Sequence, residues 1–262
     1  MIDLHSHMLP GVDDGAPDLE AALAMARAAV QDGITEVCCT PHYIPQLYEN
    51  DRRTVLDAVT ALRRFLAENG VPLTLHAGCE IRLHASMPQA LRQNKLLTLG
   101  DAGRYVLVEL PPHALPLRLE DFFWELRGFG FTPVLAHPER HPFLGRHPGL
   151  LFKWVRAGAL VQITAGSLLG HFGKQVREGT LRLLEHRLVH VIASDAHHAK
   201  ERAPALSHAL DEAAKRLGKD AARDLVLTVP RCILEGKICE VPEPVPREKR
   251  RPFWRRIFGR TT

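Results

Sequence analysis

An alternation of strand-like and helix-like segments most limits how this chain can fold. Seven runs rich in β-branched and apolar residues are each followed by a stretch with helical apolar spacing. The predicted strands are Met1–His5, Glu36–Thr40, Leu73–Ile81, Tyr105–Leu110, Thr132–His137, Leu160–Thr164 and Leu188–Ser194. The predicted helices lie near Asp18–Asp32, Arg52–Asn69, Pro88–Asn94, Leu119–Gly128, Gly149–Ala157, Phe172–His186 and Pro204–Leu217. Consecutive βα units predict a parallel sheet, either open or closed into a barrel.

Metal-capable side chains recur where these strands end. They are His5, His7, His42, Glu80, Glu109, His137, Asp195 and His197, and six of the seven predicted strands contribute. Asp13 and Asp14 follow in the first βα loop. The C-terminal ends of parallel strands share one edge, where active sites are built. Residues i and i+2 of a strand face the same side, so His5 and His7 can reach one ion.

Two of the acids lie in strongly apolar surroundings. Glu80 and Glu109 belong to the segments VPLTLHAGCEI and YVLVELP. A buried carboxylate without a partner is costly, so each needs a cation or a proton. Any single strand-end histidine can instead be an ordinary solvated residue, but convergence of so many ligands on one edge favours a metal centre. Imidazole and carboxylate ligands without thiolate suit manganese, iron or zinc, and the ligand count predicts two or three ions.

Composition and cysteine content exclude several other classes of protein. The chain has 262 residues, 45% hydrophobic and 24% charged, enough for one large domain. Its five cysteines form no CxxC pair and no Cys-x5-Arg loop, which disfavours a zinc finger, a disulfide framework and thiolate phosphotransfer. The first residues, MIDLHSHMLP, lack the regions of a signal peptide, and no apolar stretch is long enough to span a membrane. These features predict a cytoplasmic protein.

The positive charge is concentrated at the C-terminus. The net charge is +4, but Arg247–Arg260 alone carries +6, so the remainder does not predict a nucleic-acid-binding face. We expect a catalytic domain over residues 1–239, then a Pro-rich linker and a basic-aromatic tail over residues 240–262. The tail is typical of peripheral contact with anionic lipid at the inner face of a membrane. A disordered, solubilising tail is the alternative.

Several motifs together resemble one superfamily. They are HSH near the start, GVDDG, TPHY, the two strand-end glutamates, AHPER and SDAH. All are similar to motifs of the polymerase and histidinol phosphatase (PHP) superfamily. Within it, two longer segments resemble the manganese-dependent protein-tyrosine phosphatases of bacterial capsule and exopolysaccharide gene clusters. The segments are LPGVDDGAPDLEAALAMARAAVQDGITEVCCTPHY and ITAGSLLGHFGK. The resemblance covers roughly Met1 to Leu217. It implies a single domain built as a distorted seven-stranded (β/α) TIM-like barrel.

The resemblance also implies three metal sites occupied by Mn²⁺. The first site would use His5, His7, Glu80 and Asp195. The second would share Glu80 and add Glu109 and His137. The third would use Asp14, His42 and His197. Asp14 stands where other branches of the superfamily have a histidine, which leaves the third site the least defined. Arg140 and Arg202 would hold the phosphate, a role that suits the bidentate guanidinium. A solvated arginine at a helix start is the alternative for Arg202.

Together these patterns predict a metal-dependent phosphoric monoester hydrolase. We expect a metal-activated hydroxide to attack the phosphorus of phosphotyrosine directly, with His42 or His197 available to protonate the leaving group. The resemblance implies a tyrosine autokinase of polysaccharide export as the protein substrate. A small-molecule phosphatase such as histidinol phosphatase, a phosphodiesterase and a non-catalytic metal-binding module remain alternatives. The sequence leaves homo-oligomer formation open.

Overall fold

The computed structural model describes residues 1–112, 115, 118–144 and 147–246. The predicted basic-aromatic segment from Arg247 onward therefore lies outside the described residues. The fold is a mixed α/β domain in which parallel strands alternate with helices.

The described residues contain ten strands, which form two sheets. Strands β1 (Ile2–Ser6), β2 (Glu36–Cys39) and β5 (Thr74–Ala77) make a parallel three-stranded sheet in the order β1-β2-β5. The larger sheet has the order β10-β9-β8-β7-β6-β3-β4 and is parallel except for β3–β4. Its strands are β3 (His42–Ile44), β4 (Tyr48–Glu49), β6 (Glu80–Arg82), β7 (Tyr105–Glu109), β8 (Thr132–Ala136), β9 (Leu160–Thr164) and β10 (Val191–Ala193).

Backbone contacts connect the first strand to the last. Ser6 forms an isolated parallel bridge with Ala196, just beyond β10. The Asp195 N–H donates to the His5 carbonyl and the His7 N–H donates to the Ala196 carbonyl, each at 2.8 Å. These bonds bring the two ends of the strand series together at their C-terminal edge.

Helices and short turns connect the strands. The α-helices are α1 (Leu19–Gln31), α2 (Arg52–Glu68), α3 (Met87–Arg92), α4 (Leu119–Gly128), α5 (Pro148–Arg156), α6 (Ala165–Leu169), α7 (Lys174–Glu185), α8 (Ser207–Leu217), α9 (Lys219–Arg223) and α10 (Val229–Leu234). Leu99–Asp101 and Pro138–Arg140 form 3₁₀ turns, and Asp224–Thr228 is π-helical. Asp18 and Asp51 cap α1 and α2, each accepting a backbone N–H from the first turn.

The predicted strand Leu73–Ile81 is wrong as a single element. The chain leaves the small sheet after Ala77 and enters the large one at Glu80. A Cβ on Gly78 would lie 2.7 Å from the Cys38 sulfur, so glycine permits the close approach at this break. The β3–β4 hairpin and the helices α6, α9 and α10 had not been predicted. The strand predicted over Leu188–Ser194 is shorter, and the helix predicted from Phe172 begins at Lys174.

Apolar side chains lie on both faces of the strands. The larger cluster fills the space between strands and helices. A second cluster on the opposite strand faces includes Leu4, Leu107 and Val134, and Ile233 of α10 packs against it. Tyr105, Leu107 and Glu109 share one face of β7, so the apolar cluster ends in a carboxylate at the C-terminal edge.

Within the described residues, no helix combines the length and apolar character required to cross a membrane.

Candidate metal centre

Four ligand atoms form a tight buried group at the end of β1. The Nε2 atoms of His5 and His7 are 3.1 Å apart. Glu80 Oε2 lies 3.3 Å from the first and 3.4 Å from the second, and Asp195 Oδ1 lies 3.5 Å from each. Tetrahedral bonds of about 2.0 Å give ligand–ligand distances of about 3.3 Å. His5, His7 and Glu80 therefore have the spacing of ligands around one ion, and Asp195 Oδ1 lies beside both imidazoles.

The hydrogen bonds of the two imidazoles indicate what lies between them. His5 Nδ1 donates to Gln162 Oε1 at 3.0 Å, and His7 Nδ1 donates to Asp13 Oδ2 at 2.6 Å. The Nε2 atom of each ring then faces the other ring and two carboxylates, where it can act as a metal ligand. Two close imidazoles beside two buried carboxylates need positive charge between them, from protons or from a metal ion. The donor set fits a metal ion.

Glu80 extends this group toward a second one. Its Oε1 lies 2.8 Å from His137 Nε2, and its Oε2 lies 3.0 Å from His42 Nδ1. Glu109 Oε2 lies 4.0 Å from the same His42 nitrogen. Among the described residues, Glu80 Oε2 and His42 Nδ1 are buried and lack a hydrogen-bond partner. Such orphaned polar atoms need an explanation, and an ion bridged by Glu80 supplies it.

The geometry of this second group differs from the predicted ligand set in one respect. His42, Glu80 and Glu109 can all direct one ligand atom to a common point. His137 contacts the other oxygen of Glu80. The structure therefore adds His42 to the predicted set of Glu80, Glu109 and His137, because β3 and β6 pair with His42 directly opposite Glu80.

A third group lies at the mouth of the site. Asp14 Oδ1 is 3.5 Å from both His42 Nε2 and His197 Nε2. His7, Asp14, His42 and His197 can all direct a ligand atom to a common point. About half of the Asp14 side chain is exposed. The three predicted third-site residues are thus together, and His42 lies between the second and third groups.

Two of the candidate ligands have unusual backbone conformations. His137 has φ 34° and Asp195 has φ 52°, in the left-handed region that costs a non-glycine residue free energy. His137 follows directly on β8, and Asp195 lies two residues beyond the end of β10. At these positions the left-handed turn aims the side chain across the strand ends instead of along the strand face.

The histidines of the cluster have pKa values shifted in opposite directions. Although burial lowers it, the pKa of His7 is raised by its contacts with the carboxylates of Asp13, Asp195 and Glu80. Burial, with help from the Arg140 cation, lowers the pKa of His137 to about 4, which keeps the ring neutral. Burial and the neighbouring Glu80 carboxylate raise the pKa of Glu109. Two carboxylates that share a buried site are stabilised by a cation.

Two arginines meet on the far side of Asp195. Its Oδ2 forms an ion pair with Arg140 at 2.8 Å and accepts a hydrogen bond from Arg202 at 2.7 Å, while its Oδ1 faces His5 and His7. A cavity of about 190 Å³ beside Arg140 is lined by Glu109, His137 and His141 among others. A larger cavity of about 480 Å³ lies between α5 and α7, so size alone does not identify the site. Both predicted phosphate-binding residues therefore adjoin the metal-capable cluster.

Three residues that support the cluster had not been predicted. Asp13 and Gln162 orient His7 and His5, and Arg82 forms an ion pair with Glu109 at 2.7 Å. Asp13 also accepts the backbone N–H of His42 at 2.9 Å, which ties the first βα loop to β3. The GVDDG segment had indicated this loop, but nothing in it separated the roles of its two aspartates.

Replacing Asp13 with Ala is expected to weaken metal binding by about 10- to 100-fold, because His7 loses the partner that fixes its tautomer and ring orientation. Binding is measured by titrating chelator-treated protein with Mn²⁺. The matched control is Asp18→Ala, which removes the cap of α1 outside the cluster. Equal affinities for the Asp13 variant and the control would contradict the orienting role.

The chain is similar to known proteins over most of its length. Residues 1–235 match the family described as "Capsular polysaccharide synthesis, CpsB/CapC". The tyrosine-protein phosphatase YwqE of Bacillus subtilis (strain 168) is 39% identical over 250 residues, covering 95% of this chain and 98% of YwqE. The tyrosine-protein phosphatase CpsB of Streptococcus pneumoniae is 28% identical over 243 residues, covering 91% of this chain and 100% of CpsB.

A solved structure is also closely similar. It comes from a study of YwqE from Bacillus subtilis and CpsB from Streptococcus pneumoniae, described as "unique metal-dependent tyrosine phosphatases". It superposes with a TM-score of 0.90 at 38% identity, covering 95% of this chain and all of the other. A lactonase from Listeria monocytogenes, with a TM-score of 0.56 at 10% identity, shares the fold alone. This chain belongs to the CpsB/CapC family of capsular polysaccharide synthesis.

Proposed function

We propose that this protein is a metal-dependent protein-tyrosine phosphatase, a phosphoric monoester hydrolase. The observation that carries the proposal is the connected group of nine histidines and carboxylates, with Arg140 and Arg202 meeting at its edge. The tyrosine phosphatase relatives supply the substrate class, which the ligand chemistry alone does not.

We propose that the site holds two or three ions, and the family resemblance implies Mn²⁺. Iron and zinc also suit these nitrogen and oxygen ligands. His5, His7, Glu80 and Asp195 would hold the first ion. Glu80 and Glu109, with His137 and His42 beside them, would hold the second, and Asp14, His42 and His197 the third. Bound ions supply Lewis acidity and lower the pKa of bound water.

The chain's own residues would bind and orient the phosphoryl group. Arg140 and Arg202 project from the same side of Asp195, where their remaining N–H groups can donate to phosphate oxygens. A leaving phenolate, with a pKa of about 10, needs little protonation. His42 and His197, which lie beside Asp14 at the mouth of the site, are the candidates to hold that proton when they are not ligands of the third ion.

We also infer that the strands close into a distorted (β/α) barrel. The Ser6–Ala196 bridge and its flanking hydrogen bonds support closure between β1 and β10. The chain also passes from β2 to β3 and from β5 to β6 within two or three residues, which joins the two sheets on the other side.

The proposed substrate is a phosphotyrosine protein, specifically a bacterial tyrosine autokinase in capsule or exopolysaccharide synthesis. Such a partner places the enzyme in the cytoplasm, with the basic tail as a contact to anionic lipid. Flotation with anionic liposomes tests the tail: the full chain should float, and a chain ending at Glu240 should not. Equal recovery would remove the membrane contact from the proposal.

The activity test compares three substrates side by side at saturating Mn²⁺. We expect the highest kcat/KM for a phosphotyrosine peptide, with lower values for histidinol phosphate and for a phosphate bis-ester. Preference for histidinol phosphate would favour a small-molecule phosphatase, and preference for the bis-ester a phosphodiesterase. Metal binding without turnover of any substrate would favour a non-catalytic module.

A further inference from the structure

An aromatic ring lies against one of the two arginines at the metal cluster. The guanidinium carbon of Arg140 is 4.8 Å from the centre of the Phe172 ring. The same guanidinium forms an ion pair with Asp195 Oδ2 at 2.8 Å. Arg140 is thus held between a carboxylate and an aromatic ring.

Glycine conformations and backbone hydrogen bonds define the loop that carries Phe172. Gly170 and Gly173 enclose the loop between α6 and α7, with φ values of 92° and 91°. The His171 N–H donates to the Gly166 carbonyl at 2.9 Å, and the Gly173 N–H donates to the Gly170 carbonyl at 3.0 Å. A Cβ on Gly166 would lie 3.2 Å from the Phe172 ring, so the absence of a side chain there lets the ring approach α6.

Phe172 is 37% exposed although it is a large apolar residue. The ring therefore lies at the surface, on a loop beside Arg140, where it can contact the guanidinium.

We propose that Phe172 is a positioning residue for phosphate binding: its ring stacks on Arg140 and fixes the guanidinium beside the metal cluster. The inference rests on the phosphate-binding role proposed above for Arg140. An arginine side chain has many rotamers, and holding it in one arrangement before the substrate binds reduces the entropy lost on binding. A cation–π contact also leaves the in-plane N–H groups of Arg140 free for Asp195 and for phosphate oxygens.

A double-mutant cycle tests the proposal with Arg140→Ala, Phe172→Leu and the combined variant, assayed on a phosphotyrosine peptide. We expect Phe172→Leu to lower kcat/KM by roughly 3- to 30-fold and to raise the inhibition constant of inorganic phosphate by a similar factor. In the Arg140→Ala background the same substitution should change kcat/KM by less than about 2-fold, because the contact it removes is already absent. Phe172→Tyr keeps the aromatic face and should restore activity.

Phe129→Leu is the matched control. Phe129 is 38% exposed and has the Arg92 guanidinium carbon 5.3 Å from its ring centre, so it is a similar pair outside the cluster. The Phe129→Leu substitution should leave kcat/KM unchanged. Metal content and Tm should be the same in Phe172→Leu as in the unmodified protein, which separates positioning from folding.

Three results would overturn the proposal. An unchanged kcat/KM in Phe172→Leu, with Arg140→Ala strongly impaired, would remove the positioning role and leave the role of Arg140 intact. Equal losses from Phe172→Leu in both backgrounds would mean that Phe172 acts independently of Arg140. Full activity of Arg140→Ala would overturn both roles.

Discussion

Replacing Glu80 with Gln is expected to reduce phosphotyrosine hydrolysis on the order of 10³-fold and to lower the number of bound ions. Both oxygens of Glu80 contact histidines of the cluster, so this carboxylate connects the first two ligand groups. The amide is nearly isosteric but neutral, and its NH₂ group cannot act as a ligand. The loss should match removal of the electrostatic stabilisation that the ions supply in the transition state. Phosphate release and metal content, measured on the same preparations, check this.

Glu36→Gln is the control for Glu80. Glu36 is also partly buried. It lies at the N-terminal end of β2, where it pairs with Arg231 and His76. Its replacement should lower thermal stability without changing metal content or kcat. If Glu80→Gln bound a full set of ions and kept normal turnover, the bridging role of Glu80 would be wrong.

Replacing Arg140 with Ala should lower kcat/KM by about 10²- to 10³-fold, the usual loss when a donor to a developing oxyanion is removed. Metal content should be unchanged, because Arg140 contacts the Asp195 oxygen that faces away from His5 and His7. Arg140→Lys should recover only part of the activity, since an ammonium lacks the planar fork of the guanidinium. Steady-state kinetics at saturating Mn²⁺ check these values.

Arg156→Ala, at an exposed position at the end of α5, is the control for Arg140 and should be fully active. A loss of bound metal in Arg140→Ala, in step with the loss of activity, would assign Arg140 to maintenance of the cluster and not to the phosphate.

The strand-end ligands could be predicted because their signal is local. The spacing of His5 and His7 follows from the two-residue period of a strand. Glu109 is a carboxylate in an otherwise apolar run, which has a direct energetic meaning. Neither inference needs knowledge of tertiary contacts, and the structure places all three side chains in the cluster.

The supporting residues could not be predicted because their roles depend on long-range contacts and local backbone geometry. Gln162 reaches His5 across 157 residues, and no short motif marks it. The left-handed conformations of His137 and Asp195 redirect side chains in a way that strand periodicity does not describe. The break at Gly78, which separates β5 from β6, was hidden within one strand-like segment, Leu73–Ile81.

The central claim is that the His and carboxylate cluster is a multi-ion centre for phosphotyrosine hydrolysis. The most direct test is to remove metal with a chelator, then titrate Mn²⁺ while measuring bound ions and phosphate release from a phosphotyrosine peptide. We expect no turnover in the metal-free protein, and activity that rises as two or three ions bind per chain. Full turnover in protein shown to be free of metal would contradict the claim.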